Sequence, residues 1–436
     1  MSVIDGSQGA TALVGMAGFV VGVQELIDGE WWLYVETDAD VAGCSSCGTR
    51  AVGHGRAHTM VRDLAISGRP TVLVWAKRRW RCCEPDCEIG TWCERSALIA
   101  PRASLTERAR VRLAEMVNVG GDSIAAAAGE FGVGWHTANQ AVAAHTDPHV
   151  DDPTRFDGVT AIGVDEKRFT NATAEHRTTF TTQVIDLDRH RVLDVISGRS
   201  RAVLGDWFTE RGVEWCAQIR LATLDPAAGY RAALDEHLPN AVRVVDHFHA
   251  IKLANQAIDD VRRRTQQATL GHRGHRHDLL YRARRVLLCA DERLSEERFE
   301  WMRGLLDAGD PDGEISAAWI AKELLRDVFA AVDETHARRR LIVFWQWCAE
   351  AEVREVTRLA RTIDRWSTEI LAYHRTGRAS NGRVENIHML AEKIRRNSHG
   401  FTNHTNYRRR LIGRLGIQWA TVPTRRIRSH KPRSIA

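Results

Sequence analysis

Six of the nine cysteines crowd between residues 44 and 93, and they constrain the fold more tightly than any other feature of the chain. Cys44-Ser45-Ser46-Cys47-Gly48 is a Cys-x-x-Cys knuckle closed by glycine, and Cys82, Cys83, Cys87 and Cys93 form a second group. Such clustering points to a metal in a reducing compartment rather than to disulfides. Zinc takes four ligands in a tetrahedron, and two thiolates on each of two turns supply them. Between the groups, residues 71–76 have strand composition and run through Lys77-Arg78-Arg79-Trp80-Arg81 straight into Cys82. The layout is that of a zinc ribbon, with Cys44, Cys47, Cys82 and Cys87 as Zn2+ ligands. Cys83 could replace Cys82, and His54 and His58 are weaker ligand candidates. Cys216, Cys289 and Cys348 are isolated and read as core residues.

At 436 residues the chain needs two to four folding units. Its formal charge of +5 is unevenly spread. Residues 378–436 hold fourteen Lys or Arg against two acids, a local +12, which leaves 5 − 12 = −7 on the remainder. A basic end on an acidic chain suits a polyanionic partner. The longest apolar run, residues 12–23, is too short for a bilayer and is broken by Gly15, Gly18 and Gly22. No basic residue precedes it, so neither a membrane span nor a signal peptide is expected. Residues 31–35 read as a strand after Gly29, part of a small N-terminal β element.

Downstream, Ser104-Leu105-Thr106-Glu107 has the form of a capping box opening a helix to Asn118. Residues 124–131 read as a short Ala-rich helix, Gly132-Val133-Gly134 as a tight turn, and residues 135–144 as another helix. Ile124, Ala128, Phe131, Val133, Ala138 and Val142 would share one apolar face. This is a helix-turn-helix pattern, leaving His136, Thr137, Asn139 and Gln140 to read bases.

Strands are then expected at residues 158–164, 178–185, 191–196, 218–223 and 242–245, with a helix over 201–210 and another before the last strand. A three-strand meander followed by strands alternating with helices is the order of a ribonuclease-H-like α/β sheet. Polar groups at the carboxyl ends of such strands meet in a crevice. Asp165 and Asp225 are read at strand ends, 225 − 165 = 60 residues apart. Phosphodiester chemistry is served by two divalent ions, and hard cations prefer carboxylates. From residue 249 to about 371 the chain reads as amphipathic helix. Ser380 or Asn381 then caps a helix that carries Glu385 in its first turns, with Glu392 seven residues on along the same face.

The chain resembles the bacterial insertion-sequence transposases of the ISL-three family. The resemblance rests on the two cysteine knuckles with Arg78-Arg79-Trp80-Arg81-Cys82, on Gly132-Val133-Gly134-Trp135-His136-Thr137, and on Gly163-Val164-Asp165-Glu166-Lys167. Its most specific parts are Asp246-His247-Phe248-His249-Ala250-Ile251-Lys252-Leu253-Ala254-Asn255 and Ser380-Asn381-Gly382-Arg383-Val384-Glu385-Asn386, continued by Gly400-Phe401-Thr402-Asn403 and Tyr407-Arg408. It implies a DDE triad of Asp165, Asp225 and Glu385 holding two Mg2+ ions (Mn2+ as substitute). It also makes the helical stretch an insertion within the catalytic fold, entered through the Asp-x-x-His feature of Asp246 and His249. His249 is a candidate for touching the scissile phosphate. Arg383 stands where family members often carry an aromatic or apolar residue.

The fold expected is therefore multidomain α+β: a zinc ribbon and β element over 1–98, a helix-turn-helix over 99–150, and a ribonuclease-H-like core over 155–248 and 376–412. An all-helical insertion at 249–375 interrupts the core, and a basic tail, 413–436, follows it. Arg395, Arg396, Arg408, Arg409 and Arg410 are candidate phosphate contacts, and residues 425–433 a disordered arm binding DNA without sequence preference. The expected function is binding of terminal inverted repeats, with cleavage and strand transfer into target DNA. The work falls to at least a dimer on double-stranded DNA, in the bacterial cytoplasm at the nucleoid. A zinc-containing DNA-binding regulator without catalysis and a structure-specific nuclease are the alternatives.

Overall fold

The computed structural model describes residues 6–39, 41–175, 177–380 and 382–420. These form two units, one of residues up to Asp152 together with those from Lys393 onward, the other spanning Pro153–Glu392.

In the first unit α1 (Gly6–Val14) precedes five strands: β1 (Phe19–Ile27), β2 (Glu30–Thr37), β3 (Val52–Ile66), β4 (Arg69–Arg81) and β5 (Thr91–Cys93). The sheet order is β1-β2-β4-β3, with β5 also on β4. Two hairpins turn through Asp28-Gly29 and Ser67-Gly68, all four residues at positive φ. That backbone matches the twist of two-residue hairpin turns and favours glycine at the second position. β4 lies centrally, parallel to β2 and antiparallel to β3. Its apolar run is accordingly buried, and Leu73 and Trp75 anchor a core with Val21, Leu33, Val35, Val61 and α1.

The helices that follow are α2 (Glu107–Glu115), a π-helical turn (Met116–Gly120), α3 (Ile124–Glu130) and α4 (Trp135–Val150). The helix start differs from the capping box read in the sequence: Thr106, not Ser104, caps α2 by accepting from the Ala109 N–H. Thr106 is held in place because its hydroxyl also donates to Asp63 at 2.6 Å, on a carboxylate that Arg108 grips as well. The apolar face expected of the helix pair is present, widened by Leu105, Leu113 and Val117. α4 continues past Ala144 to Val150, with Pro148 in its last turn.

The second unit opens with β6 (Ala161–Thr170), β7 (Thr179–Asp186) and β8 (Arg191–Ser197), an antiparallel meander. α5 (Arg201–Arg211), α6 (Val213–Gln218), β9 (Leu221–Leu224), α7 (Ala228–His237) and β10 (Val242–Val245) follow. The sheet runs β10-β9-β6-β7-β8, with β9 and β10 parallel to their neighbours. α6 was not expected; six residues are too few for a legible helical period. From β10 the chain enters seven helices: α8 (His247–Leu270), α9 (Leu279–Ala283), α10 (Glu296–Gly309), α11 (Glu314–Ala330), α12 (Glu334–Glu350), α13 (Arg354–Arg365) and α14 (Ser367–Arg375). One continuous apolar core joins strands and helices, from Ile162 and Leu224 to Leu325, Phe344 and Ile370. α15 (Gly382–Asn397) and α16 (His404–Leu415) end the described chain.

α16 belongs to the first unit and packs on α4 and the π turn, whereas residues 376–412 were expected as one piece with the catalytic sheet. Asn381 as a helix cap and the arm at 425–433 lie outside the described residues, as does the side chain of Arg383. Among the described residues no helix is long and apolar enough to cross a membrane.

Candidate active site and zinc centre

Strand register builds the carboxylate site. Val164 of β6 pairs with Leu224 of β9, which pairs with Val245 of β10. One step further along each chain stand Asp165, Asp225 and Asp246, side by side in a single row. Asp165 is not at its strand's end, as the sequence suggested: β6 continues to Thr170 against β7, while β9 stops at Leu224. The crevice arises because the two parallel strands stop and β6 does not. The row continues on β7 with Gln183, the direct partner of Asp165. Gln183 is fully buried, and neither polar atom of its carboxamide has a hydrogen-bond partner among the described residues.

Two histidines close on this row. His249, in the first turn of α8, places Nδ1 2.9 Å from Asp225 Oδ1 and 3.1 Å from Asp246 Oδ2. His388, on α15, places Nδ1 2.8 Å from Asp165 Oδ2. The Glu166 N–H donates to the other oxygen of Asp165 at 2.7 Å. Ligand atoms of Asp165, Asp225 and His249 all lie within 4.8 Å of one another. Glu385 is outside that tight group; it is exposed, one turn before His388. It nevertheless lines the same cleft of about 210 Å³ with Asp165, Lys167, Asp246, Phe248, His249, Lys252 and His388.

Burial and charge set these groups apart. Burial alone would raise Asp165, but the hydrogen bonds to His388 and Asp225 and the nearby imidazole charges outweigh it and hold the carboxyl down at about 2. Asp225 goes the other way: burial and the Asp165 charge prevail over the His249 hydrogen bond and push it up to about 7. Two adjacent carboxylates resist simultaneous ionisation, so they titrate as a pair. Burial opposes the charge on His249, yet its bonds to Asp225 and Asp246 raise it to about 10, which keeps it an imidazolium at neutral pH. Asp246, despite burial, is pulled well below the usual carboxylate range by His247 and His249.

The cysteine site forms at the open end of the β3–β4 hairpin. Val52 pairs with Arg81, so the knuckle before β3 meets the turn after β4. Cys44 Sγ lies 3.6 Å from Cys87 Sγ, and Cys47 Sγ lies 3.5 Å from Cys82 Sγ. The four sulfurs form one cluster within 4.8 Å. Cys83 and Cys93 are exposed and outside it, as are His54 and His58. The Thr49 hydroxyl and N–H bring the Cys47 thiol down to about 6, in favour of the thiolate that binds metal.

A transposase profile of the ISL-three class matches residues 162–411, which is 411 − 162 + 1 = 250 of the 436 residues. The chain belongs to the ISL-three family of transposases. A second profile, the zinc-finger of transposases IS204/IS1001/IS1096/IS1165, matches residues 40–87, and with the four-sulfur cluster it supports structural zinc in a zinc ribbon. The transposase for insertion sequence element IS1557 of Mycobacterium tuberculosis is 26% identical over 292 residues, covering 62% of this chain. The chain spans 63% of that relative's length, just under two thirds. The transposase for IS1001 of Bordetella parapertussis is 24% identical over 371 residues, 85% of this chain and 87% of that protein. Among solved structures, the Drosophila P element transposase strand transfer complex is 10% identical, with 72% of this chain and 93% of that chain covered at a TM-score of 0.35.

In this family member the candidate DNA contacts divide by exposure. His136 and Gln140 are exposed on the first turns of α4, Thr137 is half-buried, and Asn139 has a buried side-chain oxygen without a partner among the described residues. Arg396 is exposed and Arg395 half-buried at the end of α15. Arg408 lies 3.7 Å from Asp151, and Arg409 forms a two-pronged pair with Asp147 at 2.5 and 2.8 Å. Arg410 corrects the expectation made for it. It is 1% exposed and donates to the carbonyls of Val117 and Asp122 at 2.7 and 2.8 Å, so it braces the π turn rather than facing a phosphate. His388 and Gln183 were missed; for His388 the one sequence signal is its three-residue spacing from Glu385, which puts both on one helix face.

Proposed function

We propose that this chain is an insertion-sequence transposase that binds terminal inverted repeats and carries out metal-dependent DNA cleavage and strand transfer. Its catalytic core is ribonuclease-H-like, formed by the β10-β9-β6-β7-β8 sheet and interrupted by the helices of residues 249–375. The row Asp165-Asp225-Asp246, whose Asp165 and Asp246 line one cleft with Glu385, carries the reading. The donor set fits a hard divalent cation: burial, with the adjoining Asp165 charge, raises Asp225 to about 7, and an exposed third carboxylate, Glu385, lines a cleft with Asp165. Asp165, Asp225 and Glu385 would hold Mg2+ or Mn2+, which when bound supplies Lewis acidity and a water of lowered pKa.

The chain's own groups do the rest. Asp165 is fixed by His388 and the Glu166 N–H, and Asp225 by His249. Lys167, Lys252 and the His249 imidazolium offer positive charge to the DNA phosphate. Water attacks phosphorus, the P–O3′ bond breaks, and the element end leaves with a 3′-hydroxyl. That hydroxyl then attacks a phosphodiester of target DNA, forming a new P–O bond and expelling the target's own 3′-hydroxyl. The zinc ribbon and the helix-turn-helix, with His136, Thr137, Asn139 and Gln140, recognise the ends. At least two protomers hold two ends together, in the cytoplasm on nucleoid DNA.

The test is an end-cleavage and joining assay with the full chain, Mg2+ and duplexes carrying the element's ends. Cleaved 3′-hydroxyl ends and joined products are expected. Asp165→Asn, Asp225→Asn and Glu385→Gln should each abolish both while retaining end binding. Cleavage without joining would make the chain a nuclease, and binding without either would make it a regulator.

A further inference from the structure

We propose that His388 is a positioning residue: through Asp165 it fixes both the orientation of that carboxylate and the seat of the helix that carries Glu385. The inference rests on the active site proposed above and assigns it a residue outside the carboxylate set. His388 Nδ1 and Asp165 Oδ2 are 2.8 Å apart, and both side chains are only 7% exposed. An ionised carboxylate only accepts, so Nδ1 carries the proton in this bond. With the Glu166 N–H on the opposite oxygen, both oxygens of Asp165 are anchored, and the carboxylate plane cannot rotate freely.

His388 Nε2 is buried without a hydrogen-bond partner among the described residues. An apolar side chain would fill that space without stranding a nitrogen, so packing alone is a poor reason for histidine here. The same ring links α15 directly to the carboxylate row. Glu385 stands three residues earlier, on the same helix face and in the same cleft. Loss of the bond would free Asp165 to rotate and let the start of α15, with Glu385, drift from it. Partners that orient a metal-binding carboxylate act in this way.

Asn and Leu are close in shape and differ in the donor, so His388→Asn and His388→Leu isolate the hydrogen bond from the packing. Both are made in the full chain. Mn2+ binding is measured without DNA, by the loss of the free-ion electron paramagnetic resonance signal, and cleavage of end DNA is resolved into kcat and KM. His388→Leu should bind Mn2+ about 10–100-fold more weakly and lose kcat by a similar factor at unchanged KM. His388→Asn should keep both within about tenfold of the wild type. If the two variants behave alike, whether both active or both equally impaired, the positioning role is overturned. Asp165→Asn and Glu385→Gln run alongside: full activity in these would sink the carboxylate site itself, whereas dead controls beside an indistinguishable Asn and Leu pair would sink only the role of His388.

Discussion

Gly413→Ala tests whether α16 is an integral part of the helical layer formed by α2, the π turn and α4. A Cβ at Gly413 would stand 2.7 Å from Asn118 Oδ1 and 2.9 Å from Thr146 Cγ2, closer than real Cβ atoms come. Neither neighbour can swing away, since Asn118 is 1% and Thr146 0% exposed and the two are hydrogen-bonded at 2.8 Å. Alanine gains about 1 kcal/mol over glycine as a helix former. Against that, overpacking costs about 1–3 kcal/mol, and loss of the displaced hydrogen bond about 1 kcal/mol more. The net expectation is destabilisation by about 1–3 kcal/mol. Hydrogen exchange read by mass spectrometry on peptides of α4 and α16 measures the local opening free energy, which should fall by that amount. Adding Asn118→Ala should relieve the clash, so the double variant loses less than the sum of the singles. A rise in opening free energy for Gly413→Ala, the response of an ordinary exposed helix glycine, would refute the packing of α16 on α4 and the π turn.

Three further outcomes are expected. A proton on Asp225, whose carboxyl is raised to about 7, competes with a divalent cation. Mn2+ affinity should therefore climb by up to about tenfold per pH unit from pH 5 to 7 and level off above, and calorimetric titrations showing no pH dependence over that range would contradict the paired-carboxylate geometry. The purified chain should carry one zinc ion, and its removal by a chelator or by Cys87→Ser should expose residues 44–93 to limited proteolysis; a chain that never retains zinc would rule the ribbon out as a metal site. Arg396→Ala should weaken DNA binding and reduce the salt slope by about one, while Arg410→Met should lower stability and leave that slope unchanged, as fluorescence anisotropy at several salt concentrations will show.

What could be read in the sequence depended on the range of the interaction responsible. Cys44, Cys47, Cys82 and Cys87 were legible because knuckle spacing and an intervening hairpin are local patterns, and closing a hairpin brings its ends together whatever else the chain does. The strands were legible for the same reason. Asp165 was found but misplaced: composition marks where a strand changes character, not where its neighbour stops, and the crevice is defined by the end of β9. Arg410 hid in an Arg triplet that looks like a solvated run. It shares a helix face with Tyr407 and Leu411, and that apolar pattern argues for burial against the composition of the triplet. His388 was beyond such reasoning, because the bond that gives it meaning joins residues 388 − 165 = 223 positions apart. A histidine three residues after a glutamate is unremarkable until the sheet and α15 are brought together. The candidate carboxylates can thus be proposed from local pattern, but the groups beside them become visible only when the register across β10, β9, β6 and β7 is known.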